Sequence, residues 1–365
     1  MLTTAAFWCF IPRMAAAFEP LTALLKATSR SFYLTLRVLP RALRPQIGLA
    51  YLLARTTDTI ADTDILPVEQ RLAALQKLRE RILGQSSAPL NFGVLAQKQN
   101  LAAEKLLLEK VEDSLAALKE FSAEDQKLIR EVLVTITSGQ ELDLKRFGST
   151  EAARGDARFA DKIVALKTAA ELEDYTYRVA GCVGEFWTKM CRAHLFPNAR
   201  LDEKQFVADG IRFGKGLQLV NILRDLPMDL KNGRCYLPLE KLEASKLLPA
   251  TLLSPVNEAK FLPLFHAHLD QAEAHLASGW RYTNTLPFWQ IRLRLACAWP
   301  VLIGVRTIEK LRAANVAGLQ QRVKVPRGEV RGIIFHSLAV CAFPPLWRKL
   351  CCSSVKAVAS RLNLA

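Results

Sequence analysis

The 365-residue chain has no internal repeat of fixed period and no low-complexity stretch. Glycine and proline are 17 each, which excludes collagen-like and linker-like classes. Its eight cysteines are Cys9, Cys182, Cys191, Cys235, Cys297, Cys341, Cys351 and Cys352. None forms a CxxC with a second CxxC or with paired histidines, which argues against a zinc site. Most lie in apolar helical text, where cysteine behaves as a small hydrophobe, and a reducing compartment fits best. No stretch reaches the roughly 18 uninterrupted apolar residues of a spanning helix. The apolar stretch Met1 to Phe18 carries Arg13 inside it and no basic segment before it, unlike a signal peptide, and Met14 is as acceptable a start as Met1. Finger spacing, RNP-like strands and tight Lys/Arg blocks are missing too, so nucleic acid is the weakest candidate partner.

What is present is apolar and basic. The hydrophobic fraction is 50% and the formal net charge +15. Such a chain can bury a large core, and its charge favours anionic partners such as phosphorylated substrates or an acidic membrane surface. Nearly every periodic segment reads as helix: 21–39, a helix ending near Asp64, 68–83, 101–121, 123–143, 171–194, 207–229, 239–248 and 257–281, and 286–313 is strongly apolar. Ser122 is a suitable N-cap for the segment at 123. Phe147 to Arg158 reads as a connection. The organisation expected is an N-terminal extension over 1–20, one helical domain over 21–330 and a basic, apolar tail over 331–365. From Gln320 onward there are eight Lys/Arg against one acid, Glu329, around a mostly apolar stretch from Gly332 to Trp347. That stretch reads equally as an interfacial segment with basic flanks or as a core helix with a basic surface.

The chemistry sits in two polar stripes on apolar helices. In Arg55-Thr56-Thr57-Asp58-Thr59-Ile60-Ala61-Asp62 the two aspartates are four apart and share a helix face. Between Gly214 and Asp229, Asn221, Asp225 and Asp229 recur every four residues, with Gln218 on the same face. Pro227 removes one backbone hydrogen bond there, so a kink is expected, with Asp229 swung partly off the stripe. Bare carboxylates beside apolar runs are costly unless a hard cation such as Mg²⁺ takes them. Arg55, Arg224 and Arg234 flank the stripes, and a diphosphate needs both metal and arginine forks. Gly181 and Gly184, odd inside a helix, let a second backbone or a bulky apolar ligand come close.

Four motifs in order, Ser29-Arg30-Ser31-Phe32, the DTIAD of 58–62, the YxYxVAGxVG of 175–184 and the QxxNxxRDxxxD of 218–229, resemble the squalene/phytoene synthase family over Leu21 to Arg327. The resemblance implies an all-α isoprenoid synthase fold, a single large helical bundle with a central apolar cavity. It implies head-to-head condensation of two farnesyl diphosphates, with the first motif closest to the family's squalene synthases. These form presqualene diphosphate and reduce it with NADPH; relatives stop at presqualene diphosphate or make phytoene or dehydrosqualene. By resemblance, Asp58, Asp62, Asn221, Asp225 and Asp229 hold Mg²⁺. Ser29, Arg30, Arg55, Arg224 and Arg234 bind phosphate, Phe32 lines the site and Gln218 lies beside the second motif. Tyr175 assists proton removal. Lys324 and Arg327 match a basic element found late in squalene synthases and are assigned to the cofactor. Many members carry Glu where Met228 stands, which leaves the role of Asp229 open. The implied setting is sterol or hopanoid biosynthesis by a cytoplasmic, peripherally membrane-associated monomer. The alternative of another class is a non-catalytic helical binding protein at a membrane.

Overall fold

Helical spacing of apolar residues is obeyed almost throughout the computed structural model, which describes residues 21–29, 32–151, 163–321 and 323–351. The fold is all-α, as expected; the extended structure among the described residues is one parallel ladder, Val164 with Arg234 and Ala165 with Cys235. The chain divides into two compact units, Met1–Lys145 with Lys189–Pro197, and Arg146–Thr188 with Asn198–Ala365.

In the first unit, α1 (residues 21–28) and α2 (Phe32–Val38) precede α3 (Arg44–Ala61). Leu49, Leu52, Leu53 and Ile60 of α3 are fully buried and form the spine of the unit. Next comes α4 (Val68–Leu83), which coincides with the segment read from periodicity and packs on α3 through Leu75 and Leu78. A short α5 (Gly93–Gln97) has no counterpart in the sequence reading, and the single helix expected over 101–121 is two, α6 (Ala102–Glu109) and α7 (Val111–Lys119). Ser122 does cap α8 (Ala123–Glu151), its hydroxyl accepting from the Asp125 amide at 3.1 Å. That helix runs through Phe147, where a connection was expected. Phe147 is 1% exposed, and burying its ring outweighs the poor helix propensity of Gly148. The rest of the expected connection, 152–158, lies outside the described residues.

In the second unit, α9 (Ala169–Thr176) passes into a π turn (Tyr177–Gly181) and then α10 (Cys182–Leu195), whose residues from Lys189 onward count with the first unit. The long α11 (Glu203–Lys231) follows, then the strand Arg234–Cys235, α12 (Leu239–Ala244), α13 (Glu258–Thr285) and α14 (Ile291–Arg312). The last helices among the described residues are α15 (Val316–Gln320), α16 (Arg327–Val340) and α17 (Pro344–Lys349). Packing of α11 along α13, and of α13 against α14, makes the core of this unit. The helix pair at the π turn explains the glycines. A Cβ on Gly184 would stand 1.9 Å from the Gly210 carbonyl oxygen, and one on Gly214 would stand 2.1 Å from that of Ala180. Of the two readings of Gly181 and Gly184, the close approach of a second backbone is the one the structure displays.

Candidate functional site

The first polar stripe is held by its own helix. Thr56 and Thr59 are buried, and their hydroxyls donate back to the Leu52 and Arg55 carbonyls at 2.9 Å, which satisfies them without disturbing the neighbouring aspartates. Asp62 is the C-cap, its amide bonded to the Asp58 carbonyl at 2.8 Å. Arg71, 1% exposed, reaches from α4 and donates to the Ala61 carbonyl at 2.7 Å. A cation is thus fixed at the negative end of the α3 dipole, where it stabilises the last turn.

Asp58 is crowded by protein. Burial, and next the charge of Asp62, push its carboxyl up to about 7, against the opposing pull of Arg55 and a hydrogen bond from Gln140. Yet 46% of its side chain stays open to solvent, so water screens much of that cost. Arg55 lies 3.8 Å from Asp58 and donates to Glu104 at 2.5 Å. Burial works against its charge, but Asp58 and Glu104 together hold the guanidinium above its ordinary value. Arg55 is therefore already partnered and would have to exchange Glu104 or Asp58 for a phosphate oxygen. Ser29 is buried at the end of α1, its hydroxyl oxygen without a hydrogen bond. Arg30 and the side chain of Phe32 lie outside the described residues.

The second stripe lies in the other unit. The helix continues through Pro227 to Lys231, so Gln218, Asn221, Asp225 and Asp229 all belong to one uninterrupted helix. Asn221 is exposed, and Gln218, Asp225 and Asp229 are half-buried. Arg224 and Asp225 form a bidentate pair at 3.0 and 2.5 Å. Just beyond, Gly233 takes φ +77°, a left-handed turn natural to glycine, and lets the chain pass from α11 into the strand bearing Arg234. The same strand delivers Tyr236, whose ring stacks on Tyr175 at 4.7 Å and meets the edge of Phe147 at 5.3 Å. Tyr175 is 7% exposed, on the last turn before the π segment. Such π turns insert a residue and re-aim what flanks them, and they cluster at functional sites. Lys324 and Arg327 are exposed, at the approach to α16.

The family model for squalene/phytoene synthase matches residues 25–329. The chain belongs to the squalene/phytoene synthase family. A presqualene diphosphate synthase from Sinorhizobium fredii is 32% identical over 264 residues, 72% of this chain and 77% of that protein. The squalene synthase of Schizosaccharomyces pombe is 24% identical over 315 residues, 86% of this chain and 64% of that protein. Among solved structures, the complex of TcSQS with the ligand E5700 superposes with a TM-score of 0.71 at 20% identity, covering 95% and 98% of the two chains. At that identity the likeness establishes the fold, that of the all-α isoprenoid synthases. Members of the squalene/phytoene synthase family are transferases of the head-to-head prenyl condensation class.

Sequence reasoning overlooked three members of the site's surroundings in this family member: Glu104, Gln140 and Tyr236. Only Gln140 carried a signal. It interrupts the buried stripe Ile136–Gln140–Leu144 at four-residue spacing, and a buried amide on an apolar face needs a polar partner.

Proposed function

We propose that the protein joins two farnesyl diphosphates head to head, forming presqualene diphosphate, and reduces this to squalene with NADPH. The observation that carries the reading is the pair Asp58 and Asp62 at the end of α3, with the Arg55 guanidinium 3.8 Å from Asp58 and with burial and the Asp62 charge holding the Asp58 carboxyl above its usual range. Two carboxylates held on one face against their own repulsion suit a divalent cation. Among the described residues no three His, Cys, Asp or Glu converge on one metal. Mg²⁺ takes one or two carboxylates and completes its shell with water and phosphate oxygens. Asp58 and Asp62 would hold it for one diphosphate, and Asn221, Asp225 and Asp229 for the other. When bound, the metal supplies positive charge against the departing diphosphate.

The chain's own groups do the rest. Arg55, Arg224 and Arg234, with Ser29 and Arg30, take phosphate oxygens, and arginine forks suit them geometrically. Arg224 gives up Asp225 to do so. As the first carbon–carbon bond forms, one diphosphate leaves and a proton is lost; Tyr175 assists its removal, with the released diphosphate as acceptor. NADPH would supply the hydride of the second half-reaction, and Lys324 and Arg327 offer cations for its phosphates.

A second reading is favoured by the 32% match to a presqualene diphosphate synthase: the reaction stops at that intermediate. Incubation with farnesyl diphosphate and Mg²⁺, with and without NADPH, followed by product mass, separates them. Squalene appearing only with NADPH supports the first reading. Presqualene diphosphate accumulating despite NADPH supports the second. A conjugated triene in place of squalene assigns a dehydrosqualene or phytoene synthase, and absence of any turnover leaves a binding protein. In the same assay Gln140→Leu, which removes the donor to Asp58, is expected to raise the Mg²⁺ concentration for half-maximal rate about tenfold, with the thermal midpoint nearly unchanged.

A further inference from the structure

The least expected charge in the second unit is Lys215. It stands between Gly214 and Gly216 on α11, where that helix runs close to two neighbours. A Cβ on Gly214 would stand 2.1 Å from the Ala180 carbonyl oxygen, and one on Gly216 would stand 2.9 Å from the Cβ of His275 on α13. So tight a crossing suits small or apolar residues, yet it carries a lysine with only 12% of its side chain open to solvent. An ammonium drawn that far from water is costly unless it is paired.

Its contacts show where the charge goes. The stem runs along the π turn, so that a Cβ on Gly181 would stand 3.2 Å from the Lys215 Cγ. The ammonium pairs with Glu173 on α9 and lies 5.6 Å from the centre of the Tyr177 ring. Tyr177 is tied onward to α10, its hydroxyl donating to Glu185 at 3.0 Å. Glu173 and Tyr177 stand two residues before and two after Tyr175. They are four apart and share a helix face, whereas Tyr175 points to the other side. On that side its ring, 7% exposed, stacks on Tyr236 with the centroids 4.7 Å apart. Tyr175 is therefore held by a ring in front and, behind, by one lysine that grips the helix on either side of it. The helix changes from α to π register at Tyr177, so a slip there would re-aim the tyrosine. A half-exposed carboxylate alone would make a weak ion pair; the buried stem and the ring contact make Lys215 a strut.

We propose that Lys215 is a positioning residue: it pins the helix on both sides of Tyr175 to α11 and thereby sets where the phenol stands against the substrate. The proposal rests on the reading that Tyr175 assists proton removal, and it holds whichever product is finally released. A displacement of about 1 Å in a reacting group can cost about a hundredfold in rate. Substrate affinity resides in the two polar stripes and their arginines, so kcat rather than KM carries the effect.

The test uses the full chain with farnesyl diphosphate and Mg²⁺, read as diphosphate release, with single-turnover conditions for the slow variants. Lys215→Met keeps the stem and removes the ammonium. It is expected to lower kcat about tenfold or more while KM stays within about twofold. The thermal midpoint should stay within about 2 °C, since Glu173 is half exposed and water takes over its charge. Glu173→Gln should reproduce part of the loss and add little to Lys215→Met. On a Tyr175→Phe background, Lys215→Met should cost less than about twofold further, because it acts through that phenol. The proposal is overturned if Lys215→Met keeps the wild-type kcat, or if it raises KM alone, which would make Lys215 a substrate contact. It is overturned equally if Lys215→Met costs its full factor again on the Tyr175→Phe background. A wild type that releases no diphosphate overturns the reading of the reaction and this proposal together, whereas each of the other results overturns the proposal alone.

Discussion

Asp58→Asn is expected to cost at least about a hundredfold in turnover and yet to stabilise the metal-free fold at alkaline pH. The loss follows from removing one anionic oxygen ligand where charge must be neutralised in the transition state. The gain follows from linkage. The folded carboxyl titrates near 7, against an ordinary value of 3.8. Between those values the folded protein holds a proton that the unfolded chain has released, so stability falls as pH rises through the window. Below 3.8 both states are protonated and the penalty vanishes; above 7 it is complete. Because 46% of the Asp58 side chain is open to solvent, screening leaves about 1 kcal/mol of it. Asparagine keeps an oxygen to accept from Gln140 and carries no charge. Thermal melts in chelator should place the variant about 2 °C above wild type at pH 8 and level with it at pH 4. With Mg²⁺ and diphosphate added, the order should reverse, since only the wild type gains binding energy. A variant less stable than wild type at pH 8 in chelator would mean that Asp58 is not held against its own charge.

Gly184→Ala is expected to cost a large part of the stability of its unit. Its Cβ would meet the Gly210 carbonyl oxygen at 1.9 Å and the carbonyl carbon at 2.6 Å. Both belong to backbone, so no side-chain rotation relieves the clash. Either the chain at Gly184 draws away from α11, loosening the packing of the adjoining π turn on that helix, or the protein does not fold. We expect about 3 kcal/mol or more, read as a large fall in thermal midpoint or as insoluble product. Gly332→Ala is the control. It lies within α16 with nothing within 4 Å of its added Cβ, and should stabilise by about 0.5–1 kcal/mol through helix propensity. Equal midpoints for the two variants would refute the close-packed interface.

Helices and acid stripes were legible because they are local. The spacing of Asp58 and Asp62, or of Asn221, Asp225 and Asp229, is fixed by 3.6 residues per turn, whatever surrounds it. The limits of α4 followed from its own apolar pattern, and the Ser122 cap from its own side chain. Where elements depended on distant partners, reading along the chain fell short. The end of α8 moved because Phe147 found Tyr236, and the helix at 171–194 acquired a π turn where it meets α11. Gly210 and Gly214 drew no notice, since a glycine's purpose appears only when the other backbone is in place.

The sequence by itself determined the all-α class, the two acid-bearing helices and the family, because each rests on residue type at short, fixed intervals. Only the tertiary structure decided that Asp58 is poised near neutrality, that Arg55 and Arg224 are already paired, and that Lys215 reaches both Glu173 and Tyr177. Burial, electrostatic crowding and exposure depend on which residues are neighbours in space, and that is not written in spacing along the chain.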